Sequence, residues 1–145
     1  MSSPPAKPAA KSAAEVCQHF PLNDEAKKLL RDGQTPRQFL DVLTEHKLYV
    51  DAIRLVGHAL PKREAVWWAL VCAKPSHGAN PPPAVAEALA AADKWVRDPS
   101  EEHRRLCEAT AEKAGYGTPA GCCAVAAFWS GGSLGPPHVP VIPPA

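Results

Sequence analysis

The sequence predicts an all-α protein, a compact bundle of about seven or eight short antiparallel helices with proline-rich extended ends. Three observations predict it. Apolar residues recur at helical spacing, most clearly in Tyr49, Ala52, Ile53, Val56, Ala59 and Leu60. Helix-start signals, in which a Ser, Thr or Asn precedes an acid or glutamine, recur along the chain. β-branched residues are few, and none alternates over a strand-length run.

Residues 1–11 are rich in Pro, Ala, Ser and Lys, too poor in large apolar side chains to fold, and are expected to form a disordered lead-in. Ser12 and Glu15 form a capping-box pair that opens a short helix reaching about His19, and Pro21 ends it. Asn23 caps a second, Asp24 to Arg31, stopped by Gly33. Thr35, Pro36 and Gln38 supply an N-cap, a first-position proline and a capping-box partner for a third, with Phe39, Leu40 and Leu43 on its apolar face. No Gly or Pro breaks the chain at His46-Lys47. The apolar faces on either side do not join smoothly, so a helical hairpin is expected over a single kinked helix. The second arm runs from Leu48 until Pro61.

Lys62–Lys74 is apolar all round from Ala65 to Ala73 and is expected at the centre of the bundle, packed on the last helix. A loop follows over 75–82. A helix from Pro83 to Arg97 carries Val85, Ala88, Leu89, Ala92, Trp95 and Val96 on one face. Asp98-Pro99-Ser100-Glu101 starts the next, with Asp98 as cap and Pro99 at the first position. It runs to Ala114 before Gly115, with Glu101–Arg105 and Arg104–Glu108 as ion pairs on its exposed face. Thr118-Pro119 starts the last helix, Ala120–Trp129, which Gly131-Gly132 stops. The organisation expected is one helical domain over 12–134 and a Pro-rich tail over 135–145.

Composition excludes several function classes. Sixteen basic and fifteen acidic residues leave a net charge of +1, so no nucleic-acid or anionic-membrane partner is expected. No run approaches the roughly 20 apolar residues that cross a bilayer, and the start lacks the apolar segment of a secretory signal. The five cysteines are odd in number, and Cys72, Cys122 and Cys123 sit in apolar runs. They read as buried free thiols of a reducing compartment, which makes the cytoplasm the expected location.

No motif supports catalysis, and the protein is not expected to be an enzyme or to carry a cofactor or metal. There is no Cys-x-x-Cys or His-Glu-x-x-His spacing. Cys122 and Cys123 are adjacent, so on a helix they point about 100° apart and chelate poorly. Ser130-Gly131-Gly132-Ser133 lacks the strand-turn-helix setting of a nucleophile elbow. Gly115-Tyr116-Gly117 lacks the lysine and strand of a phosphate loop. His58 and His103 lie on helices and read as structural. The competing expectation is a small-ligand or metal-binding domain built on Cys107, Cys122, Cys123 and a nearby histidine.

Four tryptophans against three phenylalanines form a large payload of the residue type most enriched at binding hot spots. Trp67 and Trp68 are adjacent and cannot face the same way, so one can enter the core while the other reaches a groove. Trp95 and Trp129 carry the same ambiguity. A hydrophobic groove is expected between the end of helix 62–74, the 75–82 loop and the start of helix 83–97. It would accept a helix or an extended apolar segment of a protein partner, or the chain's own tail. Trp68 is the preferred anchor, with Val71 and Val85 nearby and Trp67 as the alternative. The function expected is a protein-interaction module: an adaptor, chaperone or accessory subunit.

Two resemblances bear on this. Tyr49, Ala52, Val56, Ala59 and Leu60 place the hairpin Phe39–Leu60 close to a tetratricopeptide-type unit, although no second copy follows. Leu60-Pro61-Lys62-Arg63-Glu64-Ala65-Val66-Trp67-Trp68, Lys94–Glu101 and Gly117–Leu134 resemble an uncharacterised bacterial family of small helical proteins. The resemblance implies an association with type VI secretion components, and it transfers no catalytic residue.

Overall fold

The computed structural model describes residues 11–135 and Val141. Among these residues there are eight helices and no strand. Of the extended ends expected over 1–11 and 135–145, only Lys11, Gly135 and Val141 fall within the described residues.

Local capping fixes most helix starts. The side chains of Ser12, Asn23 and Thr35 accept backbone N–H groups at the heads of α1 (Ala13–Cys17), α2 (Asp24–Leu29) and α3 (Pro36–Glu45). At Thr35 the box is reciprocal, since Gln38 Oε1 accepts the Thr35 N–H at 2.9 Å. α3 and α4 (Tyr49–Ala59) form the expected hairpin. The break needs no glycine. Lys47 takes a left-handed backbone with φ 59°, Leu48 N–H donates to Leu43 O, and Lys47 N–H donates to Thr44 O. This is a Schellman closure with lysine in the position glycine usually fills.

The helices fall into two compact units, residues 1–60 and 61–145, each with its own core. In the first unit Phe39, Leu43 and Leu55 are almost fully buried, with Val16, Cys17 and Phe20 around them. Asp51 is buried too, and its carboxylate accepts the Asn23 N–H at 3.1 Å, tying α4 to the head of α2.

In the second unit α6 (Pro83–Arg97), α7 (Glu101–Ala114) and α8 (Pro119–Trp129) pack on one another, and α5 (Lys62–Ser76) packs on α6 and α8. α6 buries the predicted face, Trp95 included, except Val96, which is only partly buried. α8 buries most of its circumference, which its small residues permit.

Several expectations are corrected here. α5 is not enclosed: Val66, Leu70 and Ala73 face the core, while Trp67 and Val71 are each about half exposed, at 55% and 51%. An apolar circumference alone does not separate a surrounded helix from one with an unpartnered face. α5 also runs two residues past Lys74, taking Pro75 into its last turn. Ser100, not Asp98, caps α7, by accepting the His103 N–H. Cys72 and Cys122 are exposed, and only Cys17, Cys107 and Cys123 are buried.

A candidate peptide cleft on α7 and α8

The turn joining α7 to α8 is built on backbone close approach. Gly115 ends α7 with φ 86°, a left-handed conformation that favours glycine. Thr118 then serves both helices. Its Oγ1 accepts the Gly121 N–H at 3.0 Å, and its hydroxyl donates to Gly115 O at 2.9 Å. Gly121 has no side chain, and the Gly115 carbonyl occupies the space a Cβ would need. His77 completes the head of α8, its Nε2 accepting the Ala120 N–H at 3.0 Å.

Beyond α8 the chain is held by Arg104. This residue is 4% exposed and does not form the exposed pair with Glu108 that its spacing suggested. Its guanidinium donates to Glu101 at 2.7 and 2.8 Å, to Phe128 O at 2.7 Å and to Ser133 O at 2.9 Å. Arg105 forms the expected pair with Glu101 at 3.0 Å and reaches Gly135 O at 2.7 Å. Both guanidinium groups lie over the Phe128 ring, 4.7 and 5.5 Å from its centre. The Arg104 hydrogen bonds hold the Glu101 carboxyl down at about 2.

These supports frame a cleft of ≈ 560 Å³ lined by Glu108 from α7, Tyr116 from the turn, Val125, Phe128 and Trp129 from α8, and Leu134. Val125, Phe128 and Trp129 stand at helical i, i+3, i+4 spacing on one face. Phe128 is buried, whereas Tyr116 and Trp129 are about half exposed, at 57% and 51%. Among the described lining residues Glu108 alone is charged. The cleft is apolar and aromatic, and its size is ordinary for a binding site.

The sequence-predicted residues do not converge. Val85 lies in the core with Val66, Leu70 and Ala73, and Trp68 is half-buried. Trp67 lines a separate depression of ≈ 260 Å³ with Arg63, Glu64 and Val96, beside the first turn of α5 rather than the 75–82 loop. There Arg63 donates to the Val96 and Arg97 carbonyls and closes the end of α6. Trp129 was legible as a candidate. Tyr116 and Leu134 were not, because they sit outside any periodic pattern. Among exposed aromatics in the first unit, Tyr49 shares one face of α4 with Ile53.

No group of three His, Cys, Asp or Glu side chains among the described residues is placed to hold a metal. Cys122 donates its S–H to Tyr116 O at 3.2 Å. Burial pushes the Cys107 and Cys123 thiols up to about 11, with the Cys122 and Cys72 thiols adding to the effect at Cys123. Cys17 is also raised, first by burial and then by Asp51. The thiolate is the reactive form. A disulfide reagent on native protein is therefore expected to modify Cys72 and Cys122 first and the other three only on unfolding, as peptide mapping against time would show. Early modification of Cys107 would contradict this burial pattern.

His103 Nδ1 lies 2.7 Å from the carbonyl of Asp98, the residue that ends α6, and His58 Nδ1 lies 2.8 Å from Arg54 O one turn back in α4. No helix among the described residues is long and apolar enough to cross a membrane. A model for a family of unknown function (DUF6931) matches residues 39–145. No curated protein and no solved structure matches the chain.

Proposed function

The chain belongs to the DUF6931 family of unknown function, and from its own surface we propose that it is a non-catalytic protein-interaction module whose α7–α8 cleft receives an apolar segment of a protein partner. The observation that carries this reading is the pairing of two half-exposed aromatic side chains, Tyr116 and Trp129, across an apolar cleft floored by Phe128. Exposed Trp and Tyr on a rigid helical frame are the residues that most often anchor partners. The cleft floor is braced by Arg104 and Arg105, so little ordering is left for the moment of binding. An adaptor, chaperone or accessory subunit in the cytoplasm fits this surface, and a type VI secretion apparatus is the first assembly in which to seek the partner.

Trp129→Ala is expected to weaken the purified partner by about 2 kcal/mol, roughly thirtyfold in Kd, with the helical fold unchanged. The partner would be obtained by affinity capture and its binding measured by calorimetry. Wild-type affinity in Trp129→Ala together with a loss in Trp68→Ala or Trp67→Ala would move the site to α5.

A further inference from the structure

Glu108, the charged residue of the α7–α8 cleft, is only loosely engaged by its own chain. It is half-exposed, and it pairs with Arg105 Nη1 at 3.7 Å. That same Nη1 donates to Gly135 O at 2.7 Å, and Arg105 Nε donates to Glu101 at 3.0 Å. Arg105 is thus committed elsewhere, and the Glu108 oxygens keep capacity for a closer donor. Glu112 lies one turn further along α7, exposed and in no ion pair among the described residues. Two acids at this spacing share one stripe of the helix and disfavour each other slightly, which an incoming cation relieves.

The aromatic side chains point to the same ligand chemistry. Ring faces attract cations. Phe128 is already used in this way, with the Arg104 and Arg105 guanidinium groups 4.7 and 5.5 Å from its centre. The half-exposed rings of Tyr116 and Trp129 are left for a further cation at the mouth of the cleft. The Tyr116 backbone is fixed there, its carbonyl accepting the Cys122 S–H at 3.2 Å. Val125 and Leu134 remain for apolar groups.

Desolvation decides among occupants. Any segment that covers this cleft takes Glu108 out of water. An uncharged segment leaves the carboxylate with the long Arg105 contact, and burying a poorly paired carboxylate is costly. An acidic segment adds repulsion. A basic side chain meets the carboxylate and two ring faces at once. We propose, resting on the reading of the cleft as a peptide site, that the partner segment carries an arginine between apolar residues, its guanidinium seated among Glu108, Tyr116 and Trp129. Arginine fits better than lysine because its planar group stacks on a ring while donating to a carboxylate.

The probes are acetylated, amidated Ala-Leu-Arg-Leu-Ala and its citrulline twin, which keeps the shape and loses the charge. The readout is the Trp129 indole N–H resonance of the full chain, assigned with Trp129→Phe. The arginine peptide is expected to bind about five- to tenfold more tightly than its twin at low salt. Added salt should shrink that advantage. Glu108→Gln should remove most of it by weakening the arginine peptide alone. Equal affinities in the wild type, or an advantage undiminished in Glu108→Gln, would overturn the cationic partner and leave the cleft reading standing. So would a captured partner that depends on Trp129 but binds Glu108→Gln as well as wild type. A Trp129 resonance that neither peptide moves at millimolar concentration, with a captured partner indifferent to Trp129→Ala, removes both.

Discussion

Arg104→Ala is expected to lower the stability of the 61–145 unit by about 3 kcal/mol. Phe128 O is one of the last four carbonyls of α8, which have no partner within the helix. Arg104 supplies that partner from a nearly water-free position and satisfies Ser133 O as well. Truncation strands the Phe128 carbonyl, at about 1–3 kcal/mol for a buried acceptor, and removes the side chain packed against Gly132. Arg104→Lys should recover only part of the loss, because a point charge cannot hold carboxylate and carbonyls in one planar fork. Urea unfolding reads this as a lower midpoint at unchanged slope. A loss below about 1 kcal/mol would mean that water replaces the guanidinium.

The pH dependence separates the carbonyl contribution from the ion pair. Glu101 is held at about 2, below its ordinary 4.5. A depressed carboxyl stabilises the fold fully above its unfolded value and loses that contribution as pH falls from 4.5 toward 2. Its side chain is 63% exposed, so solvent screens the pair and the contribution is about 1 kcal/mol or less. Glu101→Gln should therefore cost far less than Arg104→Ala, and most of the Arg104→Ala deficit should persist at low pH.

Gly121→Ala is the second large effect, and its sign runs against helix propensity. Alanine within a helix is ordinarily better than glycine by about 1 kcal/mol. At position 121 the added Cβ would be driven into the Gly115 carbonyl, which is backbone and cannot swing aside. Overpacking of this kind costs about 1–3 kcal/mol, occasionally more, and here it must separate α7 from α8. A net loss of about 2 kcal/mol or more is expected. Gly57→Ala provides the contrast, since nothing lies within 4 Å of its Cβ position. On α4 it should stabilise by about 0.5–1 kcal/mol. Thermal or urea unfolding of the two variants should give opposite shifts, and matching signs would refute the close approach at Gly115.

Much of the fold was legible because its determinants are local. Thr35 and Gln38 sit three residues apart and complete each other's hydrogen bonds whatever surrounds them. The same holds for Ser12, Asn23 and Thr118 as caps, and for the apolar stripe that α6 buries. Arg104 was not legible. The buried face of α7 carries Arg104, Cys107, Thr110 and Ala111, and a mixed polar stripe gives no hydrophobic periodicity to follow. What made Arg104 a core residue lies 24 and 29 positions away, at Phe128 and Ser133. α5 failed for the opposite reason. Trp67 and Val71 look like core in sequence, yet no helix in their unit covers them. The α7–α8 cleft combines both difficulties, since Tyr116 and Leu134 come from turns and only Trp129 lay among the candidates.

The division at Pro61 has a consequence for synthesis. Every residue of the first core, from Ala13 to Leu55, precedes α5 in the chain. On a translating ribosome the first core can close while the last helices of the second are still being made, and domains generally fold as units in that order. The second core is built differently. It draws on α5 through α8, and Phe128 is among the last of its residues to be made. The apolar faces of α5 and α6 must therefore wait in the nascent chain until α8 arrives, which makes that interval the one in which this protein is most exposed to aggregation.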